Sequence, residues 1–208
     1  MFRQFFSFAV LAAGVIGLGT MGASDAHAQQ NWPNFSNNNS SSGSGSSLFG
    51  GYFGSSGGSY KVNFPKKYSA GQIIVSFGDR RLYYTIGTGR AISYPIAIPK
   101  GEARWSGVHR ISAKKVNPPW TPTAQMRREN PKLPAFVPGG HPRNPLGVRA
   151  LYIGNTLYRI HGTDAPWLIG QQVSHGCIRM FNRDVVDLYR RAKIGTRVTV
   201  TWSRFSTS

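Results

Sequence analysis

From residue 60 onward, hydrophobic and polar positions fall mostly into short runs that suit β-strands. Residues 72–77 (QIIVSF) and 81–86 (RLYYTI) are rich in β-branched and aromatic side chains. They flank Gly78-Asp79-Arg80, which predicts a hairpin. Residues 92–98 (ISYPIAI) alternate but contain Pro95, whose missing N–H predicts an edge strand or a bulge. Residues 107–112 give a weaker strand pattern. Residues 147–153 (GVRALYI) and 156–160 (TLYRI) flank Gly154-Asn155, a second hairpin signal. Residues 196–202 (TRVTVTW) form the last and clearest strand pattern.

One stretch changes period. Val185, Leu188, Tyr189 and Ala192 fall at i, i+3, i+4 and i+7, a single apolar stripe on a helix. Asn182 is its predicted N-cap. Asp184 in the first turn, with Arg190, Arg191 and Lys193 in the last, suits the helix dipole. Gly195 is placed to end the helix. The domain therefore reads as mainly β, with one short helix.

Residues 114–145 follow neither period and hold eight of the thirteen prolines. Long ordered loops are uncommon and often cover sites. This Pro-rich loop is read equally as a lid or substrate wall and as a packed surface excursion. Trp120, Met126, Phe136 and His141 lie within it.

The first 59 residues have another character. Arg3 followed by an uncharged, apolar or small stretch over 5–21, then Ala26-His27-Ala28, fits a secretory signal cleaved before Gln29. The alternative is an uncleaved anchor, weakened by Gly14, Gly17, Gly19 and Gly22. Residues 29–59 carry no charge and are dominated by Asn, Ser and Gly. Such a segment buries too little apolar area to offset ordering entropy, so a flexible linker is expected. The division is thus 1–28 signal peptide, 29–59 linker and 60–208 folded domain, with export to the periplasm or cell envelope expected.

Charge narrows the partners. The chain carries a formal +18, and Arg3 and Asp25 of the leader cancel. Such a surface attracts polyanions. For an exported protein these are anionic envelope polymers, lipid headgroups or acidic peptides. A nucleic-acid module would rest on charge alone, conflict with the leader and lack any recognisable motif.

Cys177 is the only cysteine of the 208 residues, so no internal disulfide exists and lipoprotein processing lacks its cysteine. It lies in residues 161–182 (HGTDAPWLIGQQVSHGCIRMFN). A thiol near its ordinary pKa of about 8.5 gives little thiolate at neutral pH, so a nucleophilic cysteine needs a base. His175, two residues away, and His161, sixteen positions back, are both available. Gly176 removes bulk beside the sulfur, which lets a substrate carbonyl approach backbone N–H groups. Arg179, two residues on, suits a substrate carboxylate. Zinc is the competing use of two histidines and a cysteine, but the ligand set is short and no Cys-x-x-Cys spacing exists.

His161, twelve intervening residues, then Ser174-His175-Gly176-Cys177 resembles the signature of the YkuD-type L,D-transpeptidases. Ile178-Arg179-Met180 is similar to the ErfK/YbiS-like branch. The resemblance extends over about residues 72–202, through Pro118-Pro119-Trp120, Asn144-Pro145-Leu146-Gly147, Ala150-Leu151-Tyr152 and Gly195-Thr196. It implies a compact, β-sandwich-like catalytic fold. It implies Cys177 as nucleophile, His161 as proton acceptor and donor, and the Gly162 carbonyl as the group orienting His161. Ser174, His175, Arg179 and Trp120 are then expected to contact substrate. The implied substrates are peptidoglycan stem peptides, with an envelope lipoprotein among the acceptors and no metal or organic cofactor. A non-catalytic, basic envelope-binding protein that keeps the fold is the alternative.

Overall fold

A computed structural model describes residues 58–207. The expected leader and nearly all of the expected linker lie outside the described residues. The chain forms β1 (Tyr60–Asn63), β2 (Ile73–Ser76), β3 (Arg81–Gly87), β4 (Arg90–Pro99), β5 (Gly107–Val116) and helix α1 (Ala124–Glu129). Then come β6 (Arg149–Ile153), β7 (Arg159–His161), β8 (Gln172–Ser174), β9 (Ile178–Met180), helix α2 (Asn182–Arg191) and β10 (Arg197–Thr201). The sheet runs β1-β4-β3-β2-β10-β5-β6-β7-β9, and β4 pairs again with β9. That second pairing closes the path from β4 to β9 into a ring. The domain is mainly β, as its alternation predicts.

Both predicted hairpins form. β2 and β3 pair antiparallel with Ser76 opposite Arg81, and β6 and β7 pair with Ala150 opposite His161. β10 lies parallel to β2 and antiparallel to β5. Closure places Ile73, Val75, Leu82, Tyr94, Ile96, Ile111, Leu151, Ile153, Ile160 and Ile178 in one buried core. Each such aliphatic side chain contributes roughly 1.5–3 kcal/mol by leaving water. Val62, Phe64, Ile74, Tyr83 and Ala91 form a smaller cluster, with the Phe205 ring 5.0 Å from that of Phe64.

β4 is neither an edge strand nor bulged at Pro95. It pairs with β3 along one side, including Pro95 with Arg81. Along the other side β1 ends at Ser93 and β9 begins at Ile96. Pro95 occupies the gap between these partners, where no ladder N–H is needed.

The expectation of a single helix is corrected. Residues 124–129 form α1, whose N-cap Thr123 accepts a bond from the Met126 N–H at 3.2 Å. None of its residues is buried, so it has no apolar stripe to betray it.

α2 buries Val185 and Leu188, with Ala192 just beyond it, but its ends differ from expectation. Asn182 is the first helical residue rather than the cap, and its amide bonds elsewhere. Gly195 does not end the helix, which stops at Ala192 with ordinary extended backbone. The Lys114 ammonium donates to the Tyr189 and Ala192 carbonyls at 2.6 Å each. A cation there answers the carbonyl end of the dipole.

The Pro-rich segment is an ordered excursion beginning after β5. The Asn117 N–H donates to the Val148 carbonyl at 2.9 Å, closing its base. Trp120 and Val137 pair across it as an isolated bridge. The Asn144 amide donates to the Pro118 and Pro138 carbonyls, at 2.8 and 3.0 Å.

Candidate active site

Parallel pairing of β7 with β9 builds the site. Ile160 lies opposite Ile178, and His161 opposite Arg179. Ile160 and Ile178 point into the core and are fully buried. Strand alternation turns Arg159, His161, Cys177 and Arg179 to the other side. All four line a cavity of about 840 Å³. Its opposite wall comes from the Pro-rich excursion, including Trp120, Met126, Pro145 and Leu146.

His161 is buried, and its Nδ1 lies 2.6 Å from the Gly162 carbonyl oxygen. A carbonyl only accepts, so Nδ1 carries the proton and Nε2 keeps its lone pair. Burial, then the charge of Arg179, pushes the imidazole pKa down to about 3, against the pull of the Gly162 carbonyl. The ring is neutral across the physiological range.

Cys177 is half-buried, and its Sγ lies 3.8 Å from the Leu157 carbonyl oxygen. Burial pushes the thiol up, while Arg159 and then Arg179 oppose it. Both shifts favour the uncharged forms, a thiol and a neutral imidazole, in one cavity.

Ser174 lines the cavity, yet its hydroxyl is engaged in the turn, donating to the Cys177 carbonyl and accepting from the Gly176 N–H at 3.4 Å. It shapes the loop that carries the sulfur. Gly176 has φ +124°, and a Cβ there would meet Tyr158 Cε1 at 2.2 Å. The space it leaves is filled by the Tyr158 ring, not left open for a carbonyl. That ring stacks on Trp105 at 4.6 Å, and Trp105 Nε1 donates to the Gly176 carbonyl at 2.8 Å.

His175 also borders the cavity, but its Nε2 lies 2.6 Å from Glu129 Oε2 of α1. It is tied to the Pro-rich wall rather than to the sulfur. Trp120 lies in that wall, fixed by its bridge to Val137. Among the described residues no group of three or more His, Cys, Asp or Glu converges as a metal site.

Residues 70–200 match the family model described as the L,D-transpeptidase catalytic domain, YkuD. The chain belongs to this family. The chain is 44% identical over 133 residues to the probable L,D-transpeptidase YbiS of Escherichia coli (strain K12), covering 61% of this chain and 43% of that protein. It is 43% identical over 135 residues to the probable L,D-transpeptidase ErfK/SrfK of the same strain, covering 62% and 43%. The chain thus spans under half the length of these two relatives. It is 34% identical over 132 residues to the putative L,D-transpeptidase YkuD of Bacillus subtilis (strain 168), covering 62% and 64%. The Ldtfm–avibactam carbamoyl enzyme shares the fold with TM-score 0.52 and 20% identity, over 66% of this chain and 51% of that one. The catalytic domain of the E. faecium L,D-transpeptidase, solved by NMR, gives 0.50 and 20%, over 64% and 98%.

Several site residues escaped sequence reasoning. Arg159 stands two residues before His161 on one strand, so its shared face was readable from alternation alone. Asn182 was singled out for another task. Its Oδ1 accepts from the Thr163 N–H at 3.1 Å and the Val148 N–H at 3.4 Å, and its Nδ2 donates to the Thr163 carbonyl at 3.0 Å. A Cβ on Gly162 would meet that Oδ1 at 2.1 Å, so the glycine admits this clamp. Nothing local in the sequence pointed to Tyr158, Trp105 or Glu129, which act through distant partners.

Proposed function

We propose that this chain is an exported cysteine acyltransferase that performs L,D-transpeptidation on peptidoglycan stem peptides. One observation carries the reading: a free thiol and a histidine with an available Nε2 share one cavity wide enough for a peptide. Family membership supports the same chemistry.

In this reading the Cys177 sulfur attacks the carbonyl at the L-centre of the third-position diamino acid in a tetrapeptide stem. Meso-diaminopimelate is the expected diamino acid. His161 Nε2 takes the thiol proton and gives it to the departing D-alanine amine. The resulting thioester is then attacked by an amine, with His161 again receiving a proton. The amine belongs to a neighbouring diamino acid (a 3→3 crosslink), to a lipoprotein lysine, or to a free D-amino acid. Gly162 orients His161 through its carbonyl, and Arg179 holds a substrate carboxylate. The Pro-rich wall disfavours water as acceptor by limiting solvent access.

The leader pattern supports action in the periplasm or envelope, and the basic surface supports retention on anionic envelope polymers. Sacculus binding is then salt-sensitive. Mass spectrometry of muropeptides incubated with wild type and Cys177→Ala tests the function. Dimeric 3→3 products, lipoprotein adducts or D-amino-acid exchange from wild type alone support it. Tripeptides alone would instead make the protein an L,D-carboxypeptidase, and no product would favour a non-catalytic binder.

A further inference from the structure

Arg159 stands in the same cavity wall as Cys177 and His161. One step back from the Ile160–Ile178 pair along parallel β7 and β9, Arg159 comes level with Cys177. Both line the cavity, and the Arg159 Nε is buried without a hydrogen-bond partner. None of the ion pairs among the described residues involves Arg159. Its guanidinium is braced over the Tyr152 ring, 5.1 Å from the centroid, a contact that orients the planar cation without neutralising it. A braced, uncompensated cation beside the only thiol awaits an anion.

We propose that Arg159 is the counter-ion of the Cys177 thiolate, holding the charge that appears when His161 removes the thiol proton. The inference rests on Cys177 being the nucleophile. The S–H bond breaks, and the proton moves to His161 Nε2. The electron pair stays on sulfur beside the guanidinium, then forms the bond to the substrate carbonyl carbon. The carbonyl π electrons move to its oxygen. On collapse they return, the C–N bond breaks, and the proton on His161 goes to the departing amine.

The other charges around the sulfur favour this division of labour. On β7, His161 is buried among arginines, which disfavour imidazolium as a lasting partner for the anion. On β9, Arg179, whose Nε is likewise buried without a hydrogen-bond partner, lies opposite His161 rather than Cys177 and feels the opposing charge of Asp164 from the segment after β7. From the turn before β9, His175 is taken by Glu129 of α1. Arg159 is the strongest influence pulling the thiol toward ionisation, through its backbone N–H, charge and side chain together, although burial outweighs it at rest.

The test is the rate of iodoacetamide alkylation of the full chain against pH, with folding checked by near-UV circular dichroism. Arg159→Gln raises the midpoint of the profile by about one unit, slowing the reaction at pH 7 roughly tenfold. Arg159→Lys, which keeps the charge, restores most of the wild-type profile. Lys61→Gln on exposed β1 leaves it unmoved. Should Arg159→Gln fail to fold, Arg159→Met keeps packing against Tyr152 and carries the same expectation. An unchanged midpoint in the folded neutral variant overturns the proposal. Because alkylation needs no peptidoglycan, that failure is distinct from a wild type that makes no muropeptide product.

Discussion

Glu129 of helix α1 and His175 of the nucleophile turn meet at 2.6 Å, joining the Pro-rich wall to the loop that carries Cys177. The contact bridges the two sides of the cavity. Hydrogen bonds from His175 and then Gln125 hold the Glu129 carboxyl below its usual range. A depressed carboxyl stabilises the contact above the unfolded-state pKa, and the stabilisation is lost as pH falls through the folded value. Acidification below about 4.5 therefore lowers the protection factors for hydrogen exchange, taken against the intrinsic rate at each pH, in residues 124–129. Glu129→Gln reproduces much of that loss of protection at neutral pH. Equal exchange in wild type and variant would show that the contact does not hold the wall.

His161 shows the same sign in a base, because burial depresses its pKa too. Its folded pKa, about 3, lies below the unfolded value of 6.5. The stabilisation from keeping it neutral is present above 6.5 and fades as pH falls toward 3. One proton gives a slope of about 1.4 kcal/mol per pH unit. Urea unfolding between pH 4 and 6 is expected to show this slope in wild type and its loss in His161→Gln. Parallel profiles for the two would contradict a buried neutral ring.

Gly176 is held by Tyr158 on one side and by its own left-handed backbone on the other. Gly176→Ala forces the Tyr158 ring to move and adds an L-residue strain of roughly 1–2 kcal/mol. Pairing it with Tyr158→Ala relieves only the collision. The expected result is a double variant more stable than Gly176→Ala alone, yet below the Tyr158→Ala single variant. Thermal unfolding measures both differences.

Asn182 fastens the start of α2 to the segment after His161 and to Val148. Asn182→Ala leaves buried or half-buried backbone groups unpaired and is expected to cost about 1–3 kcal/mol. The Thr163 and Val148 amides gain hydrogen exchange together. A loss confined to α2 would mean that Asn182 serves the helix only.

The strand framework was readable because alternation and turn residues agree at each hairpin. Residues 72–86 and 147–160 each carry both signals. Pro95 misled because a proline inside a strand ordinarily excludes a central position, whereas closure of the ring opened a gap between two partners on one side. α1 was illegible because nothing on it is buried. Its position depends on Thr123 and on a contact 46 residues away along the chain. Of the site, His161, Cys177 and Arg179 stood out by residue type. Arg159 needed only the period of two applied backward from His161. Ser174, expected to contact substrate, and Gly176, expected to admit a carbonyl, instead serve the turn hydroxyl bond and the Tyr158 ring, which no local pattern encodes.

Nucleophilic catalysis by Cys177 requires a covalent bond between its sulfur and a stem peptide. Intact-protein mass spectrometry after incubation with a tetrapeptide-stem muropeptide reads that bond directly. The expected result is a mass increase equal to the stem muropeptide less its terminal D-alanine. The adduct is mapped to Cys177, removed by hydroxylamine, and absent from Cys177→Ala. A folded wild type that releases product without ever carrying the acyl group, or a Cys177→Ala variant that still forms it, would contradict the account.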